Sequence, residues 1–453
     1  MHRLQDQKKE RFKNRIINRL DQKDLKTFRS LYLSLHSQDQ VDIFYAFNEE
    51  QRKLAYYYLS SKEMAIIFTG LEIEDQEKIY REMDINYSTE MFNEMFTDDV
   101  AMFLTEIDPE QAEEILSLME PNRSRKVKRL MSYADETAGS IMTTDLIYIS
   151  LTDTVAEVHE KLRDKAVSAE IVYYLYVIDE EQKLVGVVSL RDLITAALTD
   201  TVESIMSTKV ISVPEDMDQE DVGKIIKKYD FLAVPVVSRQ NHLLGIITVD
   251  DIMDILEEET TEDFEDISAA SGSTDIDLTG IETAKKRAPW IVTLTFLGLL
   301  TGGVIGYFEE TLESVVLLSV FIPMIMDSAG NVGTQSLTVA VRGLALGNIK
   351  RDGFIRLIKR ELTAGFYLGL ISMIAIIILI SIIYQNWLLA VIVGVSLLCT
   401  LTISTVVGFV IPLVINKLNF DPAIASGPFI TTVNDIVGLI IYFSIATALM
   451  AFL

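Results

Sequence analysis

A single carboxylate lies deep in the apolar C-terminal part of the sequence. Asp435 is the only charged residue between Asp421 and the end of the chain. An ionisable side chain at bilayer depth is costly and is usually functional. No lysine or arginine lies deep in any apolar segment to pair with it. Two interpretations follow, a protonated structural acid or a carboxylate that binds a cation.

A second polar motif interrupts an earlier apolar segment. It reads Gly330-Asn331-Val332-Gly333-Thr334-Gln335. Glycines in a membrane span usually indicate close helix packing. The side chains of Asn331, Thr334 and Gln335 need polar partners when they are buried, and water in a pore would supply them.

Together these groups predict a pathway for a hard cation. Mg2+ prefers oxygen ligands and gives up its waters reluctantly, so carboxylates, amides and hydroxyls suit a partly hydrated ion. All four histidines precede the apolar region, which excludes an imidazole zinc site or a histidine proton relay within it. The single cysteine, Cys399, excludes a disulfide framework and a cysteine metal cluster.

Five segments are long and apolar enough to cross a bilayer, which takes about 20 residues. The charges of their flanks and connections run basic, acidic, basic, neutral, basic. Because basic loops stay in the cytoplasm, this alternation places the N-terminus inside and the C-terminus outside. The five segments are Ala288–Phe308, Leu312–Val341, Leu362–Tyr384, Trp387–Ile415 and Ala423–Leu453.

The part of the chain before these segments is strongly acidic. The whole chain carries a net charge of −26, and the residues from Pro289 onward hold eight acidic and seven basic side chains. Such a surface excludes a nucleic-acid partner, which would need a cationic patch. Residues 1–132 contain apolar residues at helical spacing. They predict stacked short helices, an α-solenoid-like domain, with a plain helical bundle as the alternative.

An internal repeat follows this helical domain. The segment Leu184–Asp192 matches Leu243–Asp251 at an offset of 59 residues, and Ile141–Thr144 matches Ile205–Thr208. Each copy predicts a strand, a helix, a hairpin and a second helix. The pattern resembles a tandem pair of cystathionine-β-synthase-type (CBS) domains, at 137–200 and 201–262. Such pairs are regulatory modules that often bind adenine nucleotides such as ATP.

The second repeat continues into an acidic stretch that leads to the membrane segments. Asp250 to Asp266 contains ten carboxylates in 17 residues and no lysine or arginine. Like charges at i,i+4 destabilise a helix by roughly 0.2–0.5 kcal/mol each. A charge run is often only a solvated face or a flexible tail. Its position between a sensor module and a membrane span predicts instead that cations neutralise it.

The order of these parts resembles the MgtE family of magnesium transporters. The resemblance is most specific at Tyr133–Met142, at Gly330–Gln335 and at Asp421–Gly438. It implies an α-helical N-domain over 1–132, the CBS pair, an acidic connecting (plug) helix over 263–287 and an all-α transmembrane domain of five helices over 288–453. It also implies a homodimer whose pore lies on the two-fold axis, between the second and fifth spans.

The resemblance also implies roles for particular residues. Asp435 forms the ion site, and the pathway around it comprises Asn331, Thr334, Asn434, Gly330 and Gln335. Asp327 stands where some members have a small residue, so it receives no role. Arg191 and Asp192 lie where a nucleotide would be held in the CBS cleft. Carboxylates at the positions of regulatory Mg2+ ions are Asp98, Asp230, Asp251, Asp254, Glu259, Glu262 and Asp263.

The sequence therefore predicts a homodimeric, non-enzymatic Mg2+ channel or transporter of the cell membrane. Cytosolic Mg2+ would bridge the acidic faces and close the pore. The alternatives are a transporter with broader divalent specificity, because Mn2+ and Co2+ also accept oxygen ligands, and a Mg2+ sensor that transports nothing. A metal-dependent intramembrane protease lacks its His-Glu-x-x-His helix, and an anion channel lacks deep cationic groups. Whether transport is passive or coupled, and which nucleotide binds, stays open.

Overall fold

The computed structural model describes residues 2–165, 169–270, 272–274, 278–345, 354–418 and 420–449. The chain forms two compact units, Met1–Leu256 and Glu257–Leu453. The first unit begins with ten helices: α1 His2–Asp21, α2 Leu25–Tyr32, α3 Ser37–Tyr45, α4 Glu49–Tyr58, α5 Ser61–Thr69, α6 Ile73–Tyr80, α7 Ile85–Glu94, α8 Thr97–Glu106, α9 Pro109–Leu118 and α10 Pro121–Leu130.

The starts of helices α2 to α10 follow a fixed spacing. The residue before each helix lies 12 positions after the residue before the previous helix, from Asp24 to Glu120. Six of these residues accept hydrogen bonds from the backbone N–H groups of the first turn, which is the role of an N-cap. These six are Asp24, His36, Asn48, Ser60, Asp84 and Asp108.

Most of the later helices of this domain pack against the helix two positions further on. Thus α3 contacts α5, α5 contacts α7, and α8 contacts α10. Two ion pairs also join this stack: Arg29 on α2 binds Glu63 on α5 at 2.6 Å, and Arg52 on α4 binds Glu82, just after α6, at 2.5 Å. Sequential stacking is the arrangement of a solenoid, which agrees with the predicted solenoid-like domain and not with a plain bundle.

Two small sheets of identical topology follow within the first unit. Each has three strands, of which the first two are parallel and the last two form an antiparallel hairpin. This confirms the predicted repeat. The strands are β1 Tyr148–Ser150, β2 Tyr174–Ile178, β3 Leu184–Ser189, β4 Val213–Pro214, β5 Ala233–Val237 and β6 Leu243–Thr248; the helices are α11 Ala138–Ile141, α12 Val155–Lys165, α13 Leu190–Thr195, α14 Val202–Ile205, α15 Gln219–Tyr229 and α16 Val249–Ser268.

Equivalent glycines in the two hairpins explain part of the repeated sequence. A Cβ atom on Gly245 would lie 2.5 Å from the backbone oxygen of Thr143, and one on Gly186 would lie 2.5 Å from the sulfur of Met206. Real Cβ atoms do not approach so closely. The glycines therefore let the segment before each sheet cross the hairpin at close range.

The second unit contains the five predicted membrane helices. Five helices of the described residues are long and apolar enough to cross a bilayer, which confirms the predicted multi-pass membrane region. Its elements are α17 Gly280–Tyr307, α18 Glu309–Ser314, a 3-10 helix at Val316–Phe321, α19 Ile322–Ala345, α20 Phe354–Tyr384, α21 Trp387–Lys417, a 3-10 turn at Pro422–Ile424 and α22 Gly427–Leu449. Lys350, Arg351 and Leu453 lie outside the described residues.

Helix α19 contacts both α21 and α22. A Cβ atom on Gly408 of α21 would lie 2.2 Å from the backbone oxygen of Gly333 on α19, so these two helix backbones nearly touch. Helix α20 adds a polar contact to α19. The hydroxyl of Ser336 donates a hydrogen bond of 3.1 Å to the buried carboxylate of Glu361, which is 7% exposed and also accepts one of 2.9 Å from Arg360.

The predicted connecting helix over 263–287 is wrong as a single element. The acidic helix is a continuation of the second repeat and ends at Ser268, and the first membrane helix begins at Gly280. Gly272 between them has φ +68°, a conformation that glycine adopts without strain. Thr279 then caps α17 with its hydroxyl. The composition of this segment therefore ends one helix and starts another.

Candidate ion pathway and acidic cluster

One face of α19 is polar along most of its length. Asp327, Asn331, Thr334, Gln335 and Thr338 recur at three- and four-residue intervals, so they lie on the same side of the helix. All are exposed except Thr334, which is half-buried. We call these five residues the polar face. An exposed polar face on an apolar span requires water or another protein surface beside it.

The polar face borders the contact between α19 and α22. Gly330 lies against Thr431, since a Cβ atom on Gly330 would lie 2.6 Å from the Thr431 methyl group. The hydroxyls of Thr334 and Thr431 lie 3.5 Å apart. The next turn of α22 carries Asp435, whose Oδ1 atom is buried and has no hydrogen-bond partner among the described residues. Gly330 and Thr334 therefore lie against Thr431, one helical turn before Asp435 on α22.

Asn434 lies elsewhere than the other predicted pathway residues. It is fully buried, and neither its Oδ1 nor its Nδ2 atom has a hydrogen-bond partner among the described residues. Its Nδ2 atom lies against Gly333, 1.9 Å from where a Cβ atom would stand. Asn434 therefore fills the interior between helices, whereas Asn331 and Gln335 lie exposed on α19.

The first unit contains a group of carboxylates that carries no ion pair with a base among the described residues. Asp98 and Asp99 lie in the first turn of α8, Glu170 precedes β2, and Asp251 lies in the first turn of α16. We call these four residues the acidic cluster. Asp98 Oδ1 and Glu170 Oε2 are buried without a hydrogen-bond partner among the described residues. A hard cation such as Mg2+ would take such unpartnered carboxylate oxygens as ligands.

Local sequence explains how the cluster is positioned. The backbone N–H of Thr97 donates a 3.0 Å hydrogen bond to Asp145, which also binds Lys126 at 3.1 Å. This contact fixes the start of α8 beside the first CBS repeat. The hydroxyl of Thr248 donates a 2.5 Å hydrogen bond to Asp251. The equivalent pair in the first repeat is Ser189 with Asp192, at 2.6 Å.

Burial and mutual repulsion raise the pKa values of the cluster. Burial, with the Asp99 and Asp251 charges adding to it, holds the pKa of Asp98 well above its usual range. Burial and Asp251 raise the pKa of Asp99 to about 6. Burial and then Asp98 raise the pKa of Glu170 to about 9, and burial raises the pKa of Asp251. Each group therefore binds a proton more readily than in water.

The other predicted regulatory residues lie at the end of α15 and along α16, and the Asp254 charge also raises the pKa of Asp251. Asp230 is an exposed residue with φ +54° that ends α15, and Asp254 and Glu262 are exposed on α16. Glu259 and Asp263 are half-buried on the same helix. In the described part of the chain, no three carboxylate, imidazole or thiolate groups already stand close enough to hold a metal ion. The cluster is therefore an array of repelling charges.

Sequence reasoning missed Asp99 and Glu170. The signal for Asp99 was its place beside Asp98 in the first turn of a helix, whereas Glu170 had no pattern around it. It also missed a second pair of carboxylates, within the second unit: burial and then Asp421 raise the pKa of Asp266. The predicted nucleotide residues Arg191 and Asp192 are exposed at the start of α13, where the Asp192 carboxylate accepts a hydrogen bond from the Ser189 hydroxyl.

Five membrane-length helices with a polar face and a deep carboxylate, joined to paired CBS repeats, define a multi-pass membrane protein of the cation-transporter class. Comparison with protein families agrees. Residues 322–445 match the family described as "Divalent cation transporter", residues 35–136 match "MgtE intracellular N domain", and residues 138–199 and 202–258 match "CBS domain".

Relatives of known name extend over most of the chain. The Enterococcus faecalis magnesium transporter MgtE is 43% identical over 96% of this chain and 97% of its own length. The Bacillus subtilis magnesium transporter MgtE is 45% identical over 72% of each chain. The protein therefore belongs to the MgtE family of magnesium transporters.

Solved structures agree for the part before the membrane helices. The soluble part of a magnesium transporter is 40% identical, with a TM-score of 0.54, and covers 55% of this chain and 99% of its own. The cytosolic domain of the Mg2+ channel MgtE, solved in complex with ATP, is 33% identical, with a TM-score of 0.50, over 52% of this chain and 97% of its own. These likenesses confirm the predicted helical domain and CBS pair.

Proposed function

We propose that this protein carries Mg2+ across the cell membrane through a pathway between α19 and α22 of two protomers. The observation that carries the proposal is the exposed polar face of α19 beside the buried carboxylate oxygen of Asp435. A second copy of the chain would cover that face and enclose water between two such surfaces. Oxygen ligands of this kind suit an ion that keeps part of its hydration shell.

The orientation follows from the loop charges. Lys285–Arg287 precede the first span, Glu309, Glu310 and Glu313 follow it, and Arg356, Lys359 and Arg360 precede the third. Basic connections face the cytoplasm, so the CBS repeats lie inside the cell and the C-terminus outside. A cysteine introduced after Leu453 should react with an impermeant thiol reagent on intact cells, and one replacing Gln7 should not. The reverse labelling would overturn this orientation.

The acidic cluster supports a second part of the proposal, which is closure by cytosolic Mg2+. Carboxylates with raised pKa values repel one another when ionised, and a bound divalent cation would offset that repulsion. Asp98 and Glu170 each offer an unpartnered buried oxygen to such an ion. A ligand shifts a two-state equilibrium only through its different affinity for the two states. Mg2+ bound to the compact arrangement would therefore stabilise it.

Helix α16 is the element that links this cluster to the pathway. It runs without interruption from Val249 to Ser268, so the helix that begins beside Asp251 continues to Ile267. Within the second unit, the backbone oxygen of Ile267 lies 3.3 Å from where a Cβ atom of Gly427 would stand, at the start of α22. A shift of the end of α16 would therefore displace the start of α22, the helix that carries Asp435.

Transport is tested with the full-length protein in liposomes, with Mg2+ uptake measured in parallel with Mn2+ and Co2+. Asp435→Ala should abolish uptake while the protein stays folded, and Asp435→Asn should be severely impaired. Glu313→Ala, which removes an exposed carboxylate outside the apolar spans, is the matched control and should transport normally. Near-normal uptake by Asp435→Ala would remove Asp435 from the pathway. A parent protein that moves no ion at all would be a sensor.

Closure is tested by proteolysis of the same protein. Millimolar Mg2+ should protect the segment around residues 257–266, and replacement of Asp251, Asp254 and Glu262 by alanine should weaken that protection and leave the pathway open. Glu110→Ala, in an exposed part of α9, should change neither. Removal of like charges also relieves repulsion, which could itself favour closure without any ion. Variants that stay open support closure by bound Mg2+, whereas variants that stay closed would mean that repulsion alone controls opening.

A nucleotide site in the CBS pair is the remaining part of the proposal. The exposed Arg191 is available for a phosphate, and the related cytosolic domain was solved with ATP. Binding of ATP to the full-length protein should weaken in Arg191→Ala, whereas Arg239→Ala, which removes another exposed guanidinium, should bind ATP as the parent does. Equal binding by the parent and Arg191→Ala would exclude this residue.

A further inference from the structure

Asp327 is the charged residue of the polar face, and the transport proposal gives it no role of its own. It lies in the second turn of α19, and its side chain is exposed. Its carboxylate accepts a 3.1 Å hydrogen bond from the Asn331 amide. The basic residue of α19 is Arg342, 15 positions away, which is about 22 Å along the helix. A charge in this position costs free energy unless water or a cation lies beside it.

The packing of α19 on α22 places Asp327 at the level of Asp435. A Cβ atom on Gly438 would lie 3.4 Å from Ala329, and one on Gly330 would lie 2.6 Å from Thr431. Later residues of α22 therefore face earlier residues of α19, so the two helices are antiparallel and Asp327 falls opposite Asp435. The two carboxylates also repel each other electrostatically.

The hydrogen bond from Asn331 fixes how the carboxylate is presented. The amide nitrogen donates to the Oδ2 atom of Asp327, which leaves Oδ1 available to accept hydrogen bonds from water. A carboxylate held in this way binds the water shell of an ion without stripping it. Mg2+, which keeps several of its waters in protein sites, is suited to that kind of contact.

We propose that Asp327 is a specificity-determining residue of the ion pathway, where its carboxylate and that of Asp435 attract a hydrated divalent cation in preference to a monovalent one. The inference rests on the transport function proposed above. Coulomb attraction doubles when the charge of the ion doubles, so a second carboxylate at one level of the pathway favours Mg2+ over K+ or Na+. Asn331 acts as a positioning residue for this group.

The test measures Mg2+ uptake in liposomes against increasing K+. Asp327→Asn should raise the Mg2+ concentration for half-maximal uptake on the order of tenfold and make uptake more sensitive to K+, with the maximal rate much less affected. Asp327→Glu should restore both properties, and Asn331→Ala should give a smaller change in the same direction. Thr363→Val, which removes an exposed hydroxyl on α20 outside the polar face, is the control and should match the parent.

The outcomes separate this inference from the transport proposal. If the parent carries Mg2+ and Asp327→Asn shows the parent's half-saturation and K+ sensitivity, Asp327 is outside the pathway while the transport proposal stands. If the parent carries no Mg2+, the transport proposal itself fails. If Asp327→Asn does not fold, the test uses Asp327→Cys in a protein whose native cysteine is removed by Cys399→Ser. In this variant Cd2+ should block Mg2+ uptake, and Mg2+ should slow the reaction of the new thiol with a charged thiol reagent. An unreactive thiol would overturn the inference.

Discussion

A rise in pH from 6.5 to 8.5 should strengthen Mg2+ binding by the acidic cluster, because protons and Mg2+ compete for the same carboxylates. Bound Mg2+ requires ionised ligands, so its binding releases protons. The pKa of Glu170 is raised to about 9 and that of Asp98 lies well above its usual range, whereas Asp99, at about 6, is mostly ionised at neutral pH. At least one proton, that of Glu170, should leave when the ion binds.

The size of the effect follows from that proton count. Each proton released changes the apparent affinity about tenfold per pH unit. Over the two pH units between 6.5 and 8.5, the Glu170 proton alone should strengthen Mg2+ binding about 100-fold. Asp98 adds to this wherever its raised pKa exceeds the working pH.

Isothermal titration calorimetry of the full-length protein in detergent measures both quantities. Titrations in buffers of different ionisation enthalpy count the protons released, and titrations at several pH values give the slope of affinity. Glu170→Gln should lower the proton count by one and flatten the slope. Glu160→Gln, which changes an exposed carboxylate on α12, is the matched control. A proton count near zero, or equal slopes for the parent and Glu170→Gln, would refute the competition.

The same groups set how stability depends on pH without Mg2+. A folded-state pKa above the unfolded value means that folding favours the protonated form. For Glu170 this stabilising contribution is fully present below about pH 4.5 and is lost as the pH rises through about 9. The unfolding temperature of the metal-free protein should therefore fall across this range, and saturating Mg2+ should remove most of that fall.

Two further predictions concern the membrane helices. Gly408→Ala should lower the free energy of unfolding by about 1–3 kcal/mol, because the added Cβ atom would meet the backbone oxygen of Gly333 at 2.2 Å; Gly303→Ala, with nothing within 4 Å of its Cβ position, should show no such loss in thermal unfolding. Ser336→Ala should cost about 1–3 kcal/mol and should not add to the effect of Glu361→Ala, since both remove the same hydrogen bond; fully additive losses in a double-mutant cycle would contradict this.

The sequence predicted those parts of the fold that depend on pattern and length. Apolar segments of membrane length, the offset of 59 residues between hairpins and short helical periods each have a local physical cause, and the structure has all three. The connecting segment was predicted less well. Its acidic run suggested one helix over 263–287, but Ala269 takes a positive φ directly after Ser268, where one helix ends, and the cap formed by Thr279 begins the next.

The residues of the candidate sites also divide into those that the sequence predicted and those that depend on packing in the folded chain. Asp435, Thr334 and Gly330 were predicted from polar groups inside apolar segments, and the structure places Gly330 and Thr334 against Thr431, one turn before Asp435. Glu170 could not be predicted, because it comes to the acidic cluster only through the folding of the first CBS repeat against α8. That Asn434 is buried while Asn331 is exposed also could not be predicted. Both lie in similar polar motifs, and only helix packing decides which side chain faces inward.

The 12-residue spacing of helix starts in the N-terminal domain limits how that domain can change in length. Since α3, α5, α6, α7 and α8 each pack on the helix two positions further on, loss of 12 residues there would pair helices from opposite rows of the stack. Loss of two successive helices, 24 residues, would return every remaining helix to a partner in its own row. The domain should therefore shorten or lengthen in pairs of helices, both when such proteins diverge and when truncated versions are built in the laboratory.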